Sequence, residues 1–120
     1  MTDGNRSIDP AALERLLEMT GGDPEFLDEL VDTYLEDAVT QLEAMRAAAD
    51  SGSTEALVRP AHSLKSNSAN VGAERLADLC RALEADARSG AVTTASERVA
   101  EADEEFQRVR LALAELRVPR

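Results

Sequence analysis

Apolar positions recur at steps of three and four residues over most of the chain, the period of helices seated against a core. Asp9-Pro10 places a side-chain acceptor at an N-cap and a proline at the first helical position, which predicts a short helix running to about Met19. Gly21 and Gly22 stop it. Asp23-Pro24 repeats the start signal, and Leu27, Val31, Tyr34, Ala38, Leu42, Met45 and Ala49 carry a long helix with an acidic outer face to about Asp50. After Ser51-Gly52-Ser53, a third helix is expected from about Thr54 to Asn70, ended by Gly72, with Leu57, Ala61, Leu64, Ser68 and Val71 as its core stripe. A fourth, about Ala73 to Ser89, carries Leu76, Leu79, Cys80, Leu83 and Ala87 and stops at Gly90. In the last helix Ala95, Val99, Ala102, Phe106, Val109, Leu113 and Leu116 alternate steps of four and three, with Thr94 and Glu97 spaced for a capping box. Links this short favour antiparallel neighbours. The expected fold is all-α: an antiparallel up-and-down four-helix bundle with a short extra N-terminal helix, one domain over residues 1–120.

Composition narrows the function. Of the apolar residues 21 are Ala and 15 are Leu, stock for helices rather than strands. A formal net charge of -11 repels a polyphosphate backbone, so nucleic acid is not an expected partner. The acidic outer faces read as solvated surface. The lone Cys80 has no internal disulfide partner, lies on an apolar stripe and reads as core. Met1 to Pro10 is polar and no stretch is apolar enough to span a membrane, so no signal peptide or membrane contact is expected and a cytoplasmic location is. A single histidine rules out HExxH and paired Glu-x-x-His metal sites, and GxxxxGK[ST] and GxGxxG are absent. No cofactor or metal is therefore expected on this chain, and no kinase activity from ATP alone.

That histidine, His62, falls about 140° from the centre of the third helix's core stripe at 100° per residue, on the solvent side. The chain has 12 Arg and one Lys, and the lysine, Lys65, sits three residues past the histidine on the same side. Ser66, one turn on, and Ala69 are small and leave room for a large partner. An imidazole offers a ring nitrogen as nucleophile near neutrality, and a neighbouring ammonium offsets the roughly two negative charges of a phosphoryl group. The constellation suits reversible phosphoryl transfer to nitrogen.

The run Ala61-His62-Ser63-Leu64-Lys65-Ser66-Asn67-Ser68-Ala69-Asn70-Val71-Gly72-Ala73-Glu74-Arg75-Leu76 resembles the histidine-containing phosphotransfer (HPt) domain motif, roughly A-H-x-L-K-G-x-S-x-x-x-G-A-x-x-L. The resemblance covers residues 61–76 and agrees with the chain's length and helix order. It implies that His62 carries the phosphoryl group on Nε2, that Lys65 steadies it, and that Ser68 and Gly72 shape the helix and its end. It further implies a phosphorelay carrier that takes the group from a receiver-domain aspartate and passes it to another. Partners would be response-regulator receiver domains and a hybrid sensor histidine kinase, with Mg²⁺ held in the receiver. A monomer is expected.

Two residues depart from the pattern. Ser66 stands where the family usually has glycine, and could hydrogen-bond the ring or crowd an incoming receiver. Pro60 denies the Ala56 carbonyl its helical partner and should bend the helix just before the histidine. On the next helix Arg81 and Arg88 share a face with Glu84; a solvated face is one reading, assistance to the phosphate the other. The rival from another class is a helical docking module that binds a receiver or sensor protein without taking phosphate.

Overall fold

The computed structural model describes residues 7–90 and 93–116. Among these it is all-helical: α1 (Pro10–Met19), α2 (Pro24–Ser51), α3 (Thr54–Asn70), α4 (Glu74–Arg88) and α5 (Ala95–Leu116). The first two helices start where the Asp-Pro pairs place them. Asp9 Oδ1 accepts from the Ala11 amide at 3.1 Å, and Asp23 Oδ1 accepts from the Glu25 amide at 3.0 Å. Ser53 Oγ does the same for α3 through Ala56 at 3.1 Å. Pro60 neither ends nor interrupts α3, which runs through it with the ring buried.

α2 packs on α3 and α5, and α4 on the same two, so the four long helices close around one core while α1 lies against α2. Phe106, Met45, Leu57, Leu64, Leu76, Leu83 and Leu113 fill the centre. Phe106 meets Tyr34 edge to face, with ring centroids 6.5 Å apart. Every residue of the expected α3 stripe is buried. The other stripes shift at their margins: Leu27, Ala49 and Leu79 are half-buried, Ala48 and Ala77 turn inward, and Leu116 lies 40% exposed because α5 outruns the core there. Cys80 is buried as expected, and burial pushes its thiol up to about 12.

The acidic faces are not solvated throughout. Glu105 on α5 is fully buried, its Oε1 accepting from Arg108 Nε at 2.9 Å with Arg75 Nη1 at 3.7 Å. Glu84 on α4 is buried as well. Each acid sits at the edge of its helix's apolar stripe, where neighbouring cations cover it in place of water.

The turn between α3 and α4 joins the bundle to the N-terminal segment. The Ala73 amide donates to the Ser68 carbonyl at 2.8 Å, while Gly72 adopts φ +83°. Its carbonyl accepts from the Asp9 amide at 2.9 Å, and a Cβ at Gly72 would lie 2.7 Å from Ala12 Cβ. Only glycine lets α1 start this close to that turn.

Candidate functional site

His62 stands midway along α3, between the Ser53 cap and the Gly72 turn, with its side chain 55% exposed. Ser66 and Ala69 are exposed on the same face, so the surface beside the imidazole is low. Lys65 is turned toward α4 and half-buried. Ser68 has a different task. It is buried on the opposite side of the helix and shares a hydrogen bond of 2.8 Å with the Tyr34 hydroxyl, tying α3 to α2. Burial raises the Tyr34 phenol above its ordinary range. Asn67 Nδ2 adds a second tie to α2 by donating to Asp37 Oδ2 at 2.9 Å. Together these bonds fix the rotation of α3, and hence the outward direction of His62.

Across from His62, α4 supplies Glu84. Its Oε2 lies 3.1 Å from His62 Nδ1, and its Oε1 accepts from Lys65 Nζ at 2.8 Å. Arg88, one turn along α4, donates to Oε2 through Nη2 at 2.7 Å and Nε at 3.1 Å. The Lys65 hydrogen bond holds the carboxyl down at about 2; burial works against this, and Arg88 and His62 add to it. An ionised carboxylate can only accept, so Nδ1 is the nitrogen that carries the proton in this contact. In the neutral ring Nε2 then bears the lone pair, on a side chain that is 55% exposed.

The structure thus brings together His62, Lys65, Ser66 and Ala69 as the sequence places them, and adds Glu84. Arg88 reaches the site only through Glu84, while Arg81 pairs with Asp78 on its own helix. No hydrogen bond joins Ser66 to the ring among the described residues. Gly72 and Ser68 act on the shape of the scaffold, away from the imidazole. A cleft of about 380 Å³ between α1, α2 and α3, lined by Leu16, Leu30, Tyr34 and Asn67 among others, contains none of the reactive groups. Among the described residues no cluster of His, Cys, Asp and Glu is set to hold a metal ion, and no helix is long and apolar enough to cross a membrane.

Chemically, the arrangement is one exposed nucleophilic nitrogen on a ring held from behind by a buried carboxylate, with an ammonium beside it. The Hpt domain family model matches residues 29–117. The crystal structure of histidine-containing phosphotransfer protein B from Pseudomonas aeruginosa PAO1 is similar to this chain over 94% of its length and 96% of that chain, with a TM-score of 0.87 and 32% sequence identity. No curated protein sequence gives a significant match.

Proposed function

The chain belongs to the Hpt domain family, whose work is histidine phosphotransfer in phosphorelays, and from that premise we propose that His62 Nε2 is its phosphoacceptor. The observation that carries this reading is the His62 Nδ1 to Glu84 Oε2 contact of 3.1 Å on a ring that remains 55% exposed, which leaves Nε2 as the free and accessible nitrogen. A receiver's phosphoaspartate brings phosphorus into line with that nitrogen. The Nε2 lone pair forms the N–P bond while the P–O bond to the aspartyl carboxylate breaks and its electron pair stays on the carboxylate. Return transfer runs the same steps backwards.

Little else is asked of the carrier, because such transfer depends on positioning and charge stabilisation. Lys65, three residues from His62, supplies a cation within reach of the phosphoryl oxygens, and the small Ser66 and Ala69 allow the partner's approach. In this reading Mg²⁺ belongs to the receiver's acidic site, the carrier works as a cytoplasmic monomer, and α2 to α5 form an antiparallel up-and-down bundle with α1 as the extra helix. Partners are receiver domains and a hybrid sensor kinase.

The test is incubation of the purified protein with a phosphorylated receiver and Mg²⁺. Phosphate on the protein that is labile to acid and stable to base supports an N-phosphorylated carrier. Stable binding without any such phosphate would contradict it and identify a docking module.

A further inference from the structure

The charge around His62 is unlike that of the rest of the chain. Of the 120 residues 24 are acidic, yet from Ala56 to Ala73 there is no Asp or Glu, the longest such run in the sequence. The run covers α3 beyond its first turn, so the ridge that carries the imidazole presents Arg59, His62, Ser66 and Ala69, all exposed, and no anion. At physiological salt a charge is felt over about 8 Å. A partner arriving at His62 therefore meets this ridge rather than the net charge of -11 carried by the whole chain. The other cations near the site are already paired, Lys65 and Arg88 with Glu84 and Arg81 with Asp78. Arg59 is not. Among the described residues no side chain forms an ion pair or hydrogen bond with it, and Glu55, four residues earlier, sits instead in the first turn of α3, where the helix end favours its charge. Arg59 lies one turn before His62, about 60° from it around the helix. It lines a shallow cleft with Gln41 and Ala44 of α2, and so flanks the imidazole on the side away from Lys65 and α4.

We propose that Arg59 is a docking and specificity residue for the receiver, its guanidinium pairing with a carboxylate at the edge of the receiver's acidic site, outside the reacting atoms. A receiver that carries Mg²⁺ and a phosphoaspartate presents a cluster of carboxylates to this face. The planar guanidinium fork meets a carboxylate in two parallel hydrogen bonds, which sets orientation as well as attraction. Arg59 has no existing partner to give up when it forms them. The two cations beside His62 then divide the work: Lys65 acts on the group being transferred, and Arg59 on the protein that brings it. The missing acids between Ala56 and Ala73 serve the same end, since a carboxylate on this ridge would repel the incoming site. Receivers with an acidic residue at that edge are accepted in preference to those with a neutral or basic one.

The inference rests on the phosphocarrier reading of His62, and its test measures binding apart from transfer. The probe is an isolated receiver domain with Mg²⁺, selected for binding to the wild type and titrated against the wild type, Arg59→Gln and Arg59→Lys at about 50 mM and about 300 mM NaCl. At the lower salt Arg59→Gln should raise Kd about fivefold and Arg59→Lys less, with the differences shrinking at the higher salt. In single-turnover transfer from the phosphorylated receiver, the loss should appear in the half-saturating receiver concentration rather than in the maximal rate. Equal Kd values for the wild type and Arg59→Gln, or a loss that salt does not diminish, would overturn the role of Arg59. A lower maximal rate at unchanged Kd would overturn it as well, by placing the guanidinium on the phosphoryl group. Binding that depends on Arg59 without any transfer to His62 would support the docking role and overturn the acceptor assignment instead.

Discussion

Replacing Gly72 by alanine should be among the most damaging single-methyl additions to this protein. The backbone there sits at φ +83°, where an L-residue costs about 1–2 kcal/mol. The new Cβ would also lie 2.7 Å from Ala12 Cβ and 2.8 Å from the Asp9 carbonyl oxygen, well inside the roughly 3.5–4.0 Å at which carbon atoms pack. Relief requires moving the start of α1, which breaks the Asp9 amide to Gly72 carbonyl bond of 2.9 Å and forfeits about 1 kcal/mol. The expected loss is about 2–4 kcal/mol in urea unfolding followed by far-ultraviolet circular dichroism, seen as a lower midpoint. Gly22→Ala provides the comparison: its φ is +78° but nothing lies within 4 Å of the added Cβ, so the conformational cost of about 1–2 kcal/mol alone should appear. Adding Ala12→Gly to Gly72→Ala should recover only part of the difference, because the Asp9 backbone still crowds the site. Equal losses for Gly72→Ala and Gly22→Ala would refute the close approach of α1 to this turn.

Three further outcomes follow from the same contacts. Lys65→Ala should slow phosphoryl acceptance by about tenfold, equivalent to about 1.4 kcal/mol of transition-state stabilisation, and an unchanged single-turnover rate would show that Lys65 serves Glu84 alone. Tyr34→Phe and Ser68→Ala should each cost about 1–3 kcal/mol by leaving a buried hydroxyl without its partner, and the double variant should cost clearly less than the two together; strict additivity in a double-mutant cycle would contradict the 2.8 Å bond. Glu84 has its folded-state value depressed to about 2 from 4.5, so the stability it contributes is present above about pH 4.5 and lost as pH falls from there toward 2. The wild type should thus lose about 2 kcal/mol more than Glu84→Gln across that window, and parallel stability profiles for the two proteins would contradict it.

Helix boundaries were open to sequence reasoning because local chemistry sets them. Asp9-Pro10, Asp23-Pro24 and Ser53 are each a cap whose hydrogen bonds lie within three residues, and the chain carries that information wherever it folds. His62 was equally plain, since its placement on a solvent face follows from the α3 wheel alone. Glu84 was not. On the α4 wheel it lies about 80° from the stripe centre, at a margin where a side chain is covered or solvated according to what the neighbouring helix brings, and α3 brings His62 and Lys65. Glu105 occupies the matching margin of α5. A signal was present in both cases: Arg88 follows Glu84 by four residues and Arg108 follows Glu105 by three, spacings that pair an acid with its own cover. The partner on the other helix depends on which faces of α3 and α4 meet, which no single-helix pattern carries.

The most direct test of the account is the position of the phosphoryl group itself. Phosphorus NMR of the protein loaded by a phosphorylated receiver, with His62→Gln in parallel, distinguishes the two ring nitrogens and every other acceptor. A single phosphoramidate resonance with the shift of an Nε2-phosphorylated histidine is expected in the wild type and none in His62→Gln, with helix content preserved. A resonance from Nδ1-linked phosphate, or label that persists in His62→Gln, would contradict it.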